Sequence, residues 1–177
     1  MSYDPHALFE DFDGKDPAPL VALAGELAKS DDGFETILAA STQDDEKVQT
    51  GATWILKHWI EAGCTVDRRD VERVIAALEV VRAKDAQLHL LQILPFLELD
   101  PSSAERIFDV ALALTRSRHT FVRAWAYNAL AVAAALEPER RDEVDRLFDA
   151  AATDRASVRA RIRNARKGQL RPSTQKR

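Results

Sequence analysis

The chain has 177 residues, enough for one domain that buries roughly 70% of the surface its unfolded chain exposes. Its single cysteine, Cys64, excludes an intramolecular disulfide. The acidic start MSYDPHALFEDFDGKD lacks the basic-then-apolar profile of a signal peptide, and the longest apolar run, 129–136, is far short of a membrane span, so a soluble cytoplasmic protein is expected.

The net charge of −4 conceals an asymmetry. Residues 1–50 carry twelve acidic against three basic side chains, whereas residues 153–177 carry nine basic ones against Asp154 alone. Opposite poles either steer a charged partner and promote head-to-tail association, or are solvated dressing at the chain ends.

Apolar spacing predicts helices throughout. Asp4-Pro5 and Asp16-Pro17 place an N-capping Asp before a Pro in the first turn, opening helices at 6–12 and 17–29. A short helix at 34–40 puts Phe34, Ile37 and Leu38 on one face. From Asp44 a longer one runs to Gly63, with Val48, Ala52, Ile55, Leu56, Trp59 and Ile60 on its apolar stripe. Gly51 inside it costs up to about 1 kcal/mol of helix propensity, which a close helix crossing would explain. Asp70 is expected to cap a helix at 71–81, after a solvated or salt-bridged turn at 67–70. Lys84-Asp85 breaks the pattern before 86–97, where Pro95 predicts a kink or an early end.

Helices at 101–115, 119–136, 139–152 and 155–167 complete the series, with Gly168 as the last stop and a disordered basic tail over 168–177. No stretch alternates long enough for a strand, so the fold class is all-α.

Aligning Val48, Leu88, Val122 and Val158 gives separations of 40, 34 and 36 residues, within the range of two-helix repeats. The run V-R-x-x-A-x-x-A-L over 122–130 resembles the second helix of a HEAT repeat. The echo at 48–56 fits, the unit at Leu88 departs from the pattern at Gln92 and Pro95, and the one at Val158 is polar in places, as a terminal capping unit should be. Shorter partner helices at 31–41, 70–82, 101–116 and 138–152 precede each. The resemblance covers about 31–167. It implies an α-α superhelix of about four stacked hairpins forming one domain over 1–167, with 1–30 as acidic N-terminal cap helices. An irregular helical bundle is the alternative.

Chemistry-bearing motifs are absent. His6, His58, His89 and His119 are scattered one to a helix, with no H-E-x-x-H, no G-x-S-x-G and no phosphate-cradling glycine loop. A non-enzymatic protein with no cofactor and no metal is expected. The candidate partner-binding side chains point away from the apolar stripes: Trp54 and His58 on one long helix, Phe121, Trp125 and Asn128 on another. In HEAT-like proteins second helices line a concave surface, so the resemblance implies a protein or peptide partner there. The competing reading has Trp54 and Trp125 packed between repeats.

A second candidate is the basic stripe of the last helix: Arg155, Arg159, Arg163 and Arg166, extended by Lys167. It would contact nucleic-acid phosphates, as in the HEAT-like DNA-alkylation-repair glycosylases, whose catalytic residues have no match here. Alternatively it pairs with Glu139, Asp142, Asp145 and Asp149 on the preceding helix.

Overall fold

The computed structural model describes residues 4–169, and these form helices and connecting turns with no strand among them. The ten helices are α1 (Pro5–Leu8), α2 (Ala18–Leu27), α3 (Gly33–Ala40), α4 (Glu46–Glu61), α5 (Arg68–Val80), α6 (Lys84–Ile93), α7 (Ala104–Leu114), α8 (Thr120–Leu136), α9 (Arg141–Ala150) and α10 (Ala156–Gln169). Three short 3₁₀ turns sit at Leu94–Phe96, Pro101–Ser103 and Pro138–Arg140, and each contains a proline, Pro95 being the one expected to kink or end its helix.

An aspartate side chain caps α1, α4 and α5, in part shifted from the expected residue. By contrast α2, α3 and α6 to α9 begin without a side-chain cap, and Pro17 rather than Asp16 stands at the cap of α2. The Asp4 carboxylate accepts from the His6 N–H at 3.0 Å, yet α1 lasts only four residues, short of the expected 6–12. Asp45 accepts from the N–H groups of Lys47 (2.8 Å) and Val48 (3.0 Å) and so begins α4. The α5 cap is Asp67, not Asp70: Asp67 accepts from the Asp70 N–H at 2.8 Å, so the expected turn at 67–70 is already the first turn of the helix. At the other end Gly168 does not stop α10, which continues to Gln169. The tail expected over 168–177 lies, from residue 170 on, outside the described residues.

The chain divides into two compact units, Met1–Glu98 and Leu99–Arg177. In the first, α4 is central: α2, α3 and α6 pack on it, and Val48, Ala52, Ile55 and Leu56 are wholly buried. The Trp59 indole N–H donates to the Ala24 carbonyl at 3.3 Å, and its ring stacks on Phe34 at 6.2 Å. Arg73 of α5 forks onto Glu35 of α3, with Nη2 donating to Oε1 at 2.7 Å. Gly51 has a different cause from the expected helix crossing. A Cβ there would lie 2.5 Å from the ring of Phe9, which the N-terminal turn lays against α4.

In the second unit α8 lies between α7 and α10. Its alanine-rich face, Ala126, Ala129 and Ala133 with Leu130, is fully buried, because short side chains let both neighbours approach closely. The Tyr127 ring meets Phe148 of α9 edge-on at 6.0 Å.

Burial revises the internal register. Leu88 is only half-buried, whereas Ala86 is fully buried, like Val48, Val122 and Val158. The matching positions are therefore Val48, Ala86, Val122 and Val158, spaced 38, 36 and 36 residues apart. Four on stand Ala52, Leu90, Ala126 and Ile162, and seven on Ile55, Ile93, Ala129 and Ala165, all buried. In this alignment Gln92 and Pro95 no longer occupy matched positions.

The residue after each of the first three anchors repeats a role. Gln49, Gln87 and Arg123 each donate to the carbonyl six residues before: Gln43 at 2.7 Å, Val81 at 3.2 Å and Ser117 at 2.8 Å. Gln49 and Arg123 also grip the loop before a later helix in the same unit. Gln49 Oε1 accepts from the N–H groups of Arg82 and Ala83, both at 3.0 Å; Arg123 donates twice to Asp154, at 3.0 and 2.8 Å. Consistent with this, α4 packs on α6 in one unit and α8 on α10 in the other.

Candidate partner-binding surfaces

Two of the candidate side chains, Trp54 and His58, leave the core on the same flank of α4. Their rings lie parallel, with centroids 5.1 Å apart and planes 8° from each other, an i, i+4 pair on one helix face. His58 is exposed and Trp54 half-buried. Trp54 borders a cavity of about 350 Å³ between the N-terminal segment and the α4–α6 pair. Phe12 and Leu20 form its apolar wall, and Thr50, Asp85 and His89 add polar groups.

His89 was not singled out from sequence. Its Nδ1 lies 3.1 Å from Thr53 Oγ1, and that hydroxyl has a closer acceptor in the Gln49 carbonyl at 2.8 Å. The hydroxyl proton therefore goes to Gln49, Nδ1 carries the imidazole proton and donates to Thr53, and Nε2 is left as an acceptor. Burial pushes the His89 pKa down to about 4, against a smaller opposing pull from Asp85, so the ring is neutral near pH 7. Asp85 precedes it by four residues, one turn below on α6.

In the second unit Phe121, Trp125 and Asn128 share a flank of α8. Phe121 is 66% exposed, while Trp125 and Asn128 are half-buried. Trp125 is covered on one face by α10: the Arg161 guanidinium lies 3.8 Å from its ring centroid. Burial there pulls Arg161 below the usual guanidinium range. Arg161 stands three residues after Val158, at the edge of the buried stripe, and was missed because it is off the i, i+4 series of arginines.

That series is divided. Arg166 donates to Asp149 at 2.5 Å and lies over the Phe148 ring at 5.5 Å, so it belongs to the α9–α10 contact. Arg155, Arg159, Arg163 and Lys167 are exposed. At about 100° per residue, Arg159 and Arg163 face the opposite side of α10 from Arg161, so the basic stripe and the Trp125 platform are separate features.

A second cavity, about 540 Å³, lies between the end of α4 and the turn at Leu94–Phe96, with Ile60, Val66 and Leu97 in its wall beside the exposed Cys64 and Phe96. Among the described residues no cluster of His, Cys, Asp and Glu could hold a metal ion, and no helix is long and apolar enough to cross a membrane.

No protein family, curated protein or solved structure matches the chain.

Proposed function

We propose that the chain is a HEAT-like helical-repeat protein, non-enzymatic, that binds a protein or peptide partner on the outward flanks of its second helices. The observation that carries this reading is Phe121. It is 66% exposed, more than Phe96 at 58%, whereas Phe9, Phe12, Phe108 and Phe148 are all at most 4% exposed. Beside it the Trp125–Arg161 stack makes a rigid, flat platform. An exposed aromatic next to an arginine-backed indole is the composition of a binding hot spot, because both offer large contact area at little conformational cost. The repeated anchor and loop-gripping residues support the helical-repeat part.

Panning a displayed random-peptide library on the full chain tests it. Enriched peptides are expected to bind the Phe121→Ala variant at least about tenfold more weakly, a loss of about 1.4 kcal/mol. The unfolding midpoint should stay unchanged, since the side chain is mostly solvated. Enriched peptides that bind the variant equally, or no enrichment, would overturn the reading.

The exposed Arg155, Arg159, Arg163 and Lys167 favour a second reading, nucleic-acid binding through α10. It requires affinity for DNA or RNA that falls steeply with salt and is lost in the Arg159→Glu, Arg163→Glu double variant. Binding that is absent at low salt removes it.

A further inference from the structure

The cavity beside Trp54 contains a set of groups that the partner-binding reading does not by itself use. One wall is the indole of Trp54, held in place by its stack with His58. The α6 wall presents two acceptors one turn apart, the Asp85 carboxylate and the neutral His89 ring, whose donor atom is committed to Thr53. At about 350 Å³ the space is at the small end of ligand cavities, large enough for a single amino-acid side chain.

Charge decides what kind of group fits. The segment forming the opposite wall carries Asp11, Asp13 and Asp16, all exposed, and Asp13 is held ionised by the N–H groups of Lys15 and Asp16, both at 2.8 Å. Two lysines oppose them. Lys15 borders the cavity but is exposed, and Lys84 approaches Asp85 at 3.4 Å as an exposed neighbour pair that contributes little. On the α4 side Lys57 is already paired with Glu61 at 2.6 Å. Within the cavity an aromatic face stands beside a carboxylate and a neutral imidazole.

We infer that this cavity receives a guanidinium group, the arginine side chain of a partner peptide, with Asp85 and His89 Nε2 accepting its N–H groups and the Trp54 indole lying against its plane. A planar cation with several in-plane donors satisfies both acceptors while offering its face to an aromatic ring, which a compact ammonium does less well. The inference rests on the reading that the outward flank of α4 meets a partner, and it names the chemistry of that partner in the first unit.

The test uses N-acetyl-arginine amide and, as its uncharged isostere, N-acetyl-citrulline amide, titrated into the full chain. Binding is followed by the indole N–H resonances in ¹H–¹⁵N spectra, with Trp54→Phe assigning the Trp54 peak. Saturable movement of that peak by the arginine compound is expected, with the citrulline compound and the Asp85→Asn variant each at least about tenfold weaker. Asp85 is only half-buried, so the variant should keep the wild-type unfolding midpoint; Trp54→Leu, which lacks the indole peak and is read through the backbone amides of Thr50 and His89 in the cavity wall, serves as the second loss-of-binding variant. No saturable movement, equal affinity for the citrulline compound, or unchanged affinity in both variants overturns the inference. Phe121→Ala separates the two proposals. It should leave arginine-amide binding intact, so peptides that depend on Phe121 without any arginine binding would sink this inference alone.

Discussion

Single residues supply the sharpest tests. Two glycines are required by space. A Cβ on Gly33 would stand 2.0 Å from the backbone carbonyl oxygen of Leu27, and one on Gly51 2.5 Å from the Phe9 ring. Gly51→Ala gains helix propensity of up to about 1 kcal/mol but must displace a buried ring, so a net loss of about 1–2 kcal/mol is expected. Gly33→Ala should cost more, because a carbonyl inside a turn cannot rotate aside as a ring can. Urea midpoints of the two variants check both the sign and the order.

His89 makes a pH prediction. Its folded pKa of about 4 lies below the unfolded 6.5, so between those values the unfolded chain binds a proton that the fold refuses. Its effect is nil above about pH 6.5 and grows as pH falls, reaching about 3 kcal/mol of lost stability near pH 4. Glu35, Asp45 and Asp154 are held below their usual range, Glu35 and Asp154 by arginine partners and Asp45 by backbone N–H groups, so their contributions are lost only at lower pH. Denaturation free energies between pH 7 and 4.5 should fall for the wild type and stay flatter for His89→Asn.

For the helices, stability depends on the residues that grip the loops. Gln49 is 3% exposed and serves the Gln43 carbonyl together with the N–H groups of Arg82 and Ala83, so Gln49→Ala removes one buried and two part-buried hydrogen bonds. A loss of about 2–4 kcal/mol is expected. Gln87 makes a single such bond, so Gln87→Ala should cost about 1 kcal/mol. Asp154→Ala removes both acceptors of the Arg123 fork, a pair with both side chains less than 20% exposed, and should cost about 1–3 kcal/mol. Hydrogen exchange is expected to quicken in the loop before α6 for the first variant and in the loop before α10 for the third.

On the scale of the whole molecule, the charge asymmetry follows the division into units. Residues 1–98 carry nineteen acidic and nine basic side chains, a net of −10; residues 99–177 carry ten acidic and sixteen basic, a net of +6. Charges of opposite sign on separate units attract between copies at low ionic strength and are screened beyond about 10 Å at 0.1 M salt. Sedimentation velocity should therefore show concentration-dependent self-association at 10 mM salt that disappears by 0.5 M. Absence of any salt effect would mean the poles are solvated dressing.

The all-helical class, nearly every helix and the break at Pro95 were legible in the sequence, because propensity, proline geometry and 3.6-residue periodicity are local properties carried by neighbouring residues. The outward positions of Trp54, His58 and Phe121 followed from the same periodicity. Register and pairing did not. Only burial separates Ala86 from Leu88, since both suit a helix and the choice depends on what packs against it. Equally, His89 is neutral because packing buries it, and Arg161 is stacked because Trp125, distant in the chain, is brought beside it. Contacts of that kind have no local signature, and the tertiary structure alone decides them.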